Sequence, residues 1–233
     1  MVNKGNIMER PIDLHIEKIK TKMIKMCSLV DEQLLNAIDA FKTGNTALAA
    51  LVKERDERID RYDSKIERVI HRIIALNQPV ATDLRLLLSS LKINSHIERI
   101  GDLVVNIAKN AGQIESYAKV SNEIQFDLIV EETKTMLSMA FDCFINYDPE
   151  QAKKVLSREE ILDRRVEINL KKLVHIIKSD ASVIDDVMHF NTTIIFLERI
   201  GDLASNIAKE VYYIISSQSL KHKDYDDDLE GFF

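Results

Sequence analysis

The sequence predicts an all-α protein made of two tandem three-helix bundles related by internal duplication, and three observations carry that prediction. Apolar residues recur at intervals of three and four through almost all of the 233 residues, which is the helical period. Six glycines and three prolines are too few to punctuate many short strands, since the two together ordinarily supply about 12% of a chain. The segment ERIGDLVVNIAK at 98–109 also returns one hundred positions later as ERIGDLASNIAK at 198–209.

Breaks in the period fall at Thr43-Gly44-Asn45, Asn77-Gln78-Pro79, Ala118 to Ser121, Asn146-Tyr147-Asp148-Pro149 and Ser179 to Ser182. They leave six helices, at about 10–42, 46–76, 80–116, 122–146, 149–178 and 183–216. Asn45 and Asp148 are suited to cap helix N-termini, and Pro149 suits a first helical position, where a missing N–H costs nothing. Upstream of the repeated segment the halves match at an offset of 103 residues, pairing Asp39 with Asp142, Phe41 with Phe144, Asp56 with Glu159 and Asp60 with Asp163. The first three-helix repeat is placed at 1–117 and the second at 118–217. An acidic tail at 218–233 has no periodicity, and no packed structure is expected of it.

A net charge of −6 with no long basic run argues against a nucleic-acid partner. Cys27 and Cys143 are solitary and read as buried hydrophobes, not as a disulfide or a thiolate metal site. No apolar run approaches the roughly 18 residues of a membrane span, and the first residues lack the apolar core of a signal peptide, so a cytoplasmic protein is expected.

The candidate site lies in the repeats. Acidic residues stand four apart, on one helix face, as Asp56 with Asp60, Glu98 with Asp102, Glu159 with Asp163, and Glu198 with Asp202. Like charges at that spacing destabilise a helix. In each half the two pairs are equidistant from the intervening turn, near Pro79 in the first and near Asp180 in the second, so antiparallel helices bring four carboxylates to one level. A second apolar line, through Leu84, Leu88 and Leu91 and through Ile184, Val187, Met188 and Ile195, suggests that the carboxylates end a groove covered on both sides. Three readings stay open: a bound cation, which is preferred; salt bridges with Arg99, Arg199 or lysines; and a solvated face. Asn106 and Asn206 stand one turn beyond as supporting residues.

Oxygen donors alone suit magnesium, manganese, calcium or oxidised iron, with zinc a less typical occupant. His96 and His189 lie off the carboxylate line and read as structural or surface residues. No phosphate loop, dinucleotide turn or nucleophile elbow occurs, and no catalytic group is nominated.

At Ile59-Asp60, Pro79-Val-Ala-Thr-Asp-Leu-Arg85, Glu98-Arg-Ile-Gly-Asp102 with Asn106-Ile-Ala108, and Glu198-Arg-Ile-Gly-Asp202 with Asn206-Ile-Ala208, the chain resembles the PhoU family of phosphate uptake regulators. The resemblance implies a soluble, often dimeric helical bundle in the cytoplasm. Such a bundle couples a phosphate transporter, through its ATPase, to a sensor histidine kinase, and keeps phosphate-starvation genes off when phosphate is plentiful. It reaches the membrane only through those partners. The resemblance also implies a metal on the acidic motifs, namely iron or zinc clusters, which maps onto the four carboxylate pairs; the hardness of the donors adds manganese and magnesium. Leu103 and Leu203 stand where the family often has histidine, and Lys109 and Lys209 where it often has glutamate, which points to a ligand-poor site. A non-enzymatic adaptor is the leading reading. A metal-dependent hydrolase or metal-storage bundle is the alternative, and it lacks a nominated base.

Overall fold

The computed structural model describes residues 11–115 and 117–218. They form seven helices: α1 (Pro11–Thr43), α2 (Thr46–Asn77), α3 (Ala81–Lys109), α4 (Tyr117–Ser121), α5 (Phe126–Asn146), α6 (Pro149–Ser179) and α7 (Ile184–Ser216), with a 3-10 turn at Ala181–Val183 before the last. Helices α1, α2 and α3 pack as one bundle and α5, α6 and α7 as another, while α3 against α7 and α1 against α5 join the two. No helix of the described residues is long and apolar enough to cross a membrane.

The expected caps form. The Asn45 side chain accepts from the Leu48 N–H at 3.0 Å, and that of Asp148 from the N–H groups of Glu150 and Gln151 at 2.9 and 3.1 Å. These bonds satisfy N–H groups that a helix start leaves without partners. Cys27 and Cys143 are buried free thiols.

Three expectations need correction. The third helix ends at Lys109, not near 116, because Gly112 takes a left-handed backbone (φ 75°) that closes the helix end. The break foreseen at 118–121 is itself the short helix α4, so the following helix starts at Phe126 instead of 122. Helix α7, at Ile184–Ser216 behind its 3-10 turn, falls where it was expected. The second apolar line is covered only in part: Val187 is buried and Leu84 and Leu91 are half-buried, whereas Leu88, Ile184, Met188 and Ile195 are exposed. The tail falls outside the described residues except for its first position, Gln218.

One aromatic cluster spans both halves. Phe41 (α1), Tyr117 (α4), Phe126 (α5) and Phe190 (α7) stand with ring centroids 5.2 to 6.0 Å apart, in edge-on and tilted arrangements that favour aromatic pairs. Two buried carboxylates also tie helices together. Glu132 on α5 accepts from Arg158 Nε of α6 at 2.7 Å, and Glu210 on α7 accepts from Ser89 Oγ and Lys92 Nζ of α3 at 3.0 and 3.2 Å.

The repeated Gly of the Glu-Arg-Ile-Gly-Asp segment lets two helices approach closely in each half. A methyl group on Gly201 would lie 2.2 Å from Leu162 Cδ2, and one on Gly101 would lie 3.0 Å from Asp56 Oδ1. Leu162 is itself buried and has little room to move. Gly201→Ala is therefore expected to destabilise by about 1–3 kcal/mol through overpacking, against the gain of under about 1 kcal/mol that alanine brings to a helix interior. Gly101→Ala should cost less. Urea denaturation midpoints of the two variants check this ordering.

Candidate acidic site

In the first half, α2 and α3 bring all four sequence-predicted carboxylates together. Asp56 Oδ1 lies against Gly101, within the turn that holds Glu98 and Asp102. Partial burial pushes the Asp56 carboxyl up to about 6, with Asp60 and Asp102 adding repulsion and Lys109 opposing it. Glu98 is pushed up to about 7, by burial first and then by Asp102, Asp63, Asp60 and Asp56. Negative charge here lacks compensation. Asp60 and Asp102 are exposed at the mouth.

In the second half, α6 and α7 repeat the arrangement. Asp163 is raised by burial and by Glu159 and Glu160, and Glu198 by burial, Asp202 and Asp163. Asp202 is raised by burial, Glu159 and Asp163, against Lys209 and Arg199. Here a lysine closes in, with Lys209 Nζ 3.7 Å from Glu159 Oε2. Its counterpart Lys109 instead donates to Asn106 Oδ1 at 2.8 Å.

The donor chemistry suits a hard cation, being all carboxylate, with Asp56, Glu98, Glu159 and Glu198 half-buried and Asp60, Asp102, Asp163 and Asp202 exposed. The side chains are nevertheless not gathered into a finished centre: among the described residues, no three His, Cys, Asp or Glu side chains form a group that could hold a metal ion. Of the salt-bridge reading, Lys209 with Glu159 forms. Neither Arg99 nor Arg199 pairs with an acid among the described residues, and both line a groove of about 370 Å³ between α3 and α7 with Asp102, Asp202, Asn106 and Asn206. His189 is structural as expected, its Nδ1 3.2 Å from Asn110 Oδ1.

Sequence reading missed Asp63 and Glu67, which extend the first cluster. Together with Asn94 and Glu98 they line a cleft of about 400 Å³, where the buried Asn94 donates to Asp63 Oδ1 at 2.6 Å. Their counterparts at the 103-residue offset are Val166 and Leu170, so a search for repeated acids passes over them. It also missed a basic row on the other flank of α2, at Arg58, Arg61, Lys65, Arg68 and Arg72, whose spacing of three and four was the available signal.

The fold and its paired acidic clusters define a duplicated helical-repeat protein with one cluster per repeat. The PhoU domain family matches residues 23–111 and 127–211. The phosphate-specific transport system accessory protein PhoU homolog of Pseudomonas aeruginosa is 30% identical over 226 residues, covering 95% of this chain and 93% of its own. The accessory protein PhoU of Escherichia coli strain K12 is 28% identical over 221 residues, covering 95% and 92%. The crystal structure of PhoU from Pseudomonas aeruginosa superimposes with a TM-score of 0.82 at 30% identity, covering 88% of this chain and 99% of that one. The chain belongs to the PhoU family.

Proposed function

We propose that this chain is a non-enzymatic regulator of phosphate uptake. It acts as an adaptor between a phosphate transporter's ATPase and a sensor histidine kinase, and it holds a hard cation at its acidic motifs. The observation that carries the regulatory reading is the PhoU match across both repeats, with relatives that are accessory proteins of a transport system. That role favours the adaptor over the hydrolase or storage alternative.

For the cation, Asp56, Asp60, Glu98 and Asp102 are the holders in the first repeat, and Glu159, Asp163, Glu198 and Asp202 in the second. Iron, zinc, manganese and magnesium are the candidates. The ion supplies charge neutralisation, offsetting the burial and, after it, the repulsion that raise Asp56 and Glu98. Arg99, Arg199, Asn106 and Asn206 support the carboxylates from the shared groove.

The regulatory role is tested in a bacterium lacking its own PhoU and carrying a phosphate-starvation reporter. Expression of this chain is expected to switch the reporter off in phosphate-rich medium. A reporter that stays on while the chain accumulates in soluble form contradicts the proposal. For the cation, Asp102→Ala with Asp202→Ala is expected to lower bound metal, with helix content unchanged by circular dichroism, because the apolar faces carry the fold. Undiminished metal in the double variant removes these residues as ligands.

A further inference from the structure

Helix α2 places Asp56, Asp60, Asp63 and Glu67 toward α3, and Arg58, Arg61 and Lys65, with Glu57 beside Arg61, toward α1. On that second flank, Lys22 of α1 joins Arg58, Arg61, Tyr62 and Lys65 around a cavity of about 280 Å³. This is close to the lower end of small-ligand sites, ~300 Å³. Lys22, Arg58 and Lys65 have no ion pair or hydrogen-bond partner among the described residues, and Arg61 has only an exposed contact of 3.5 Å with Glu57. Arg68 and Arg72 continue the row along α2, which runs about 21 Å from Arg58 to Arg72 at 1.5 Å per residue.

The duplication provides an internal control. The glycine and the acidic pairs recur in both halves. At the 103-residue offset, Arg58 and Lys65 become Ile161 and Ile168 and Lys22 becomes Gln125, while Arg61 alone of the four keeps its charge, as Arg164. The basic cavity is therefore not a requirement of the fold. It gathers four cations, one of them in contact with Glu57, in a chain whose net charge is −6.

We propose that this α1–α2 cavity binds an anion carrying two or more linked phosphate groups. Guanidinium forks match phosphate oxygens in pairs, and lysine ammonium groups add point charge. A single phosphate leaves some of these cations unsatisfied, whereas a di- or triphosphate reaches all of them, with the Tyr62 hydroxyl as a further donor. The inference is independent of the cation proposal, because the cavity lies on the opposite flank of α2 from the carboxylates.

The test is calorimetric titration of the full chain at about 0.15 M salt, after chelator treatment and dialysis so that no metal bridges phosphate to the acidic clusters. Sodium tripolyphosphate is expected to bind at one site, at least tenfold more tightly than orthophosphate or citrate. Arg58→Gln with Lys65→Gln is expected to weaken it at least tenfold, while Arg164→Gln with Lys171→Gln, on the equivalent helix of the second half, leaves it unchanged. ADP matching pyrophosphate identifies an inorganic anion, and ADP binding more tightly identifies a nucleotide; both support the site. No binding of tripolyphosphate, equal binding of citrate, or equal losses in the two double variants overturns it.

Discussion

Truncating Phe190 to alanine is expected to lower the stability of the whole chain by about 3–5 kcal/mol, the range for a fully buried aromatic side chain. The cost is global because of where the ring sits. Phe190 belongs to α7, yet its neighbours are Phe41 from the first repeat and Phe126 and Tyr117 from the second repeat and the segment before it. Removing it opens a cavity at the junction of the repeats, where surrounding rings that already touch one another can collapse only in part. Urea denaturation followed by circular dichroism should give one transition at a lower midpoint. Two separate transitions, with only one shifted, would show that the halves have independent cores.

The second large effect is on the pH dependence of the metal-free protein. Asp56 moves from its ordinary 3.8 to about 6, and Glu98 from 4.5 to about 7. Both bind protons more readily folded than unfolded, so their favourable contribution is fully present below their ordinary values and is lost as pH rises through about 6 and about 7. The melting temperature without metal is therefore expected to fall between pH 5 and pH 8. Glu98→Gln should flatten that fall, since it removes one charge from the repelling set. Manganese should restore stability at pH 8 and have less effect at pH 5, where protons already occupy Asp56 and Glu98. A melting temperature that rises steadily from pH 5 to pH 8 without metal would contradict the crowding of these carboxylates.

What the sequence disclosed, and what it hid, follows from the range of each signal. The caps at Asn45 and Asp148 are local, formed by a side chain and N–H groups two or three residues away, and they were legible. The acidic pairs were legible because duplication marks them twice. The end of α3 was not, because the apolar period continues through Ile107, Ala111 and Ile114 while the backbone turns at Gly112. Periodicity also says which side of a helix is apolar and not what covers it, which is why Leu88 and Met188 were expected to be buried and are exposed. Asp63 and the basic row of α2 escaped for the opposite reason, since Asp63 has no acidic counterpart and only Arg61 and Arg68 of the row have cationic ones, in Arg164 and Lys171.

That asymmetry separates the two acidic clusters. The first adds Asp63 and Glu67 and keeps Lys109 on Asn106, whereas in the second Lys209 pairs with Glu159 and supplies part of the charge a cation would bring. The more direct measurement is thus a calorimetric titration of manganese into chelator-treated protein at pH 7.5. The account predicts two binding events, the tighter lost in Asp102→Asn and the weaker lost in Asp202→Asn, with helix content unchanged. Absence of binding, or a doubly substituted protein that binds manganese as the parent does, would contradict it.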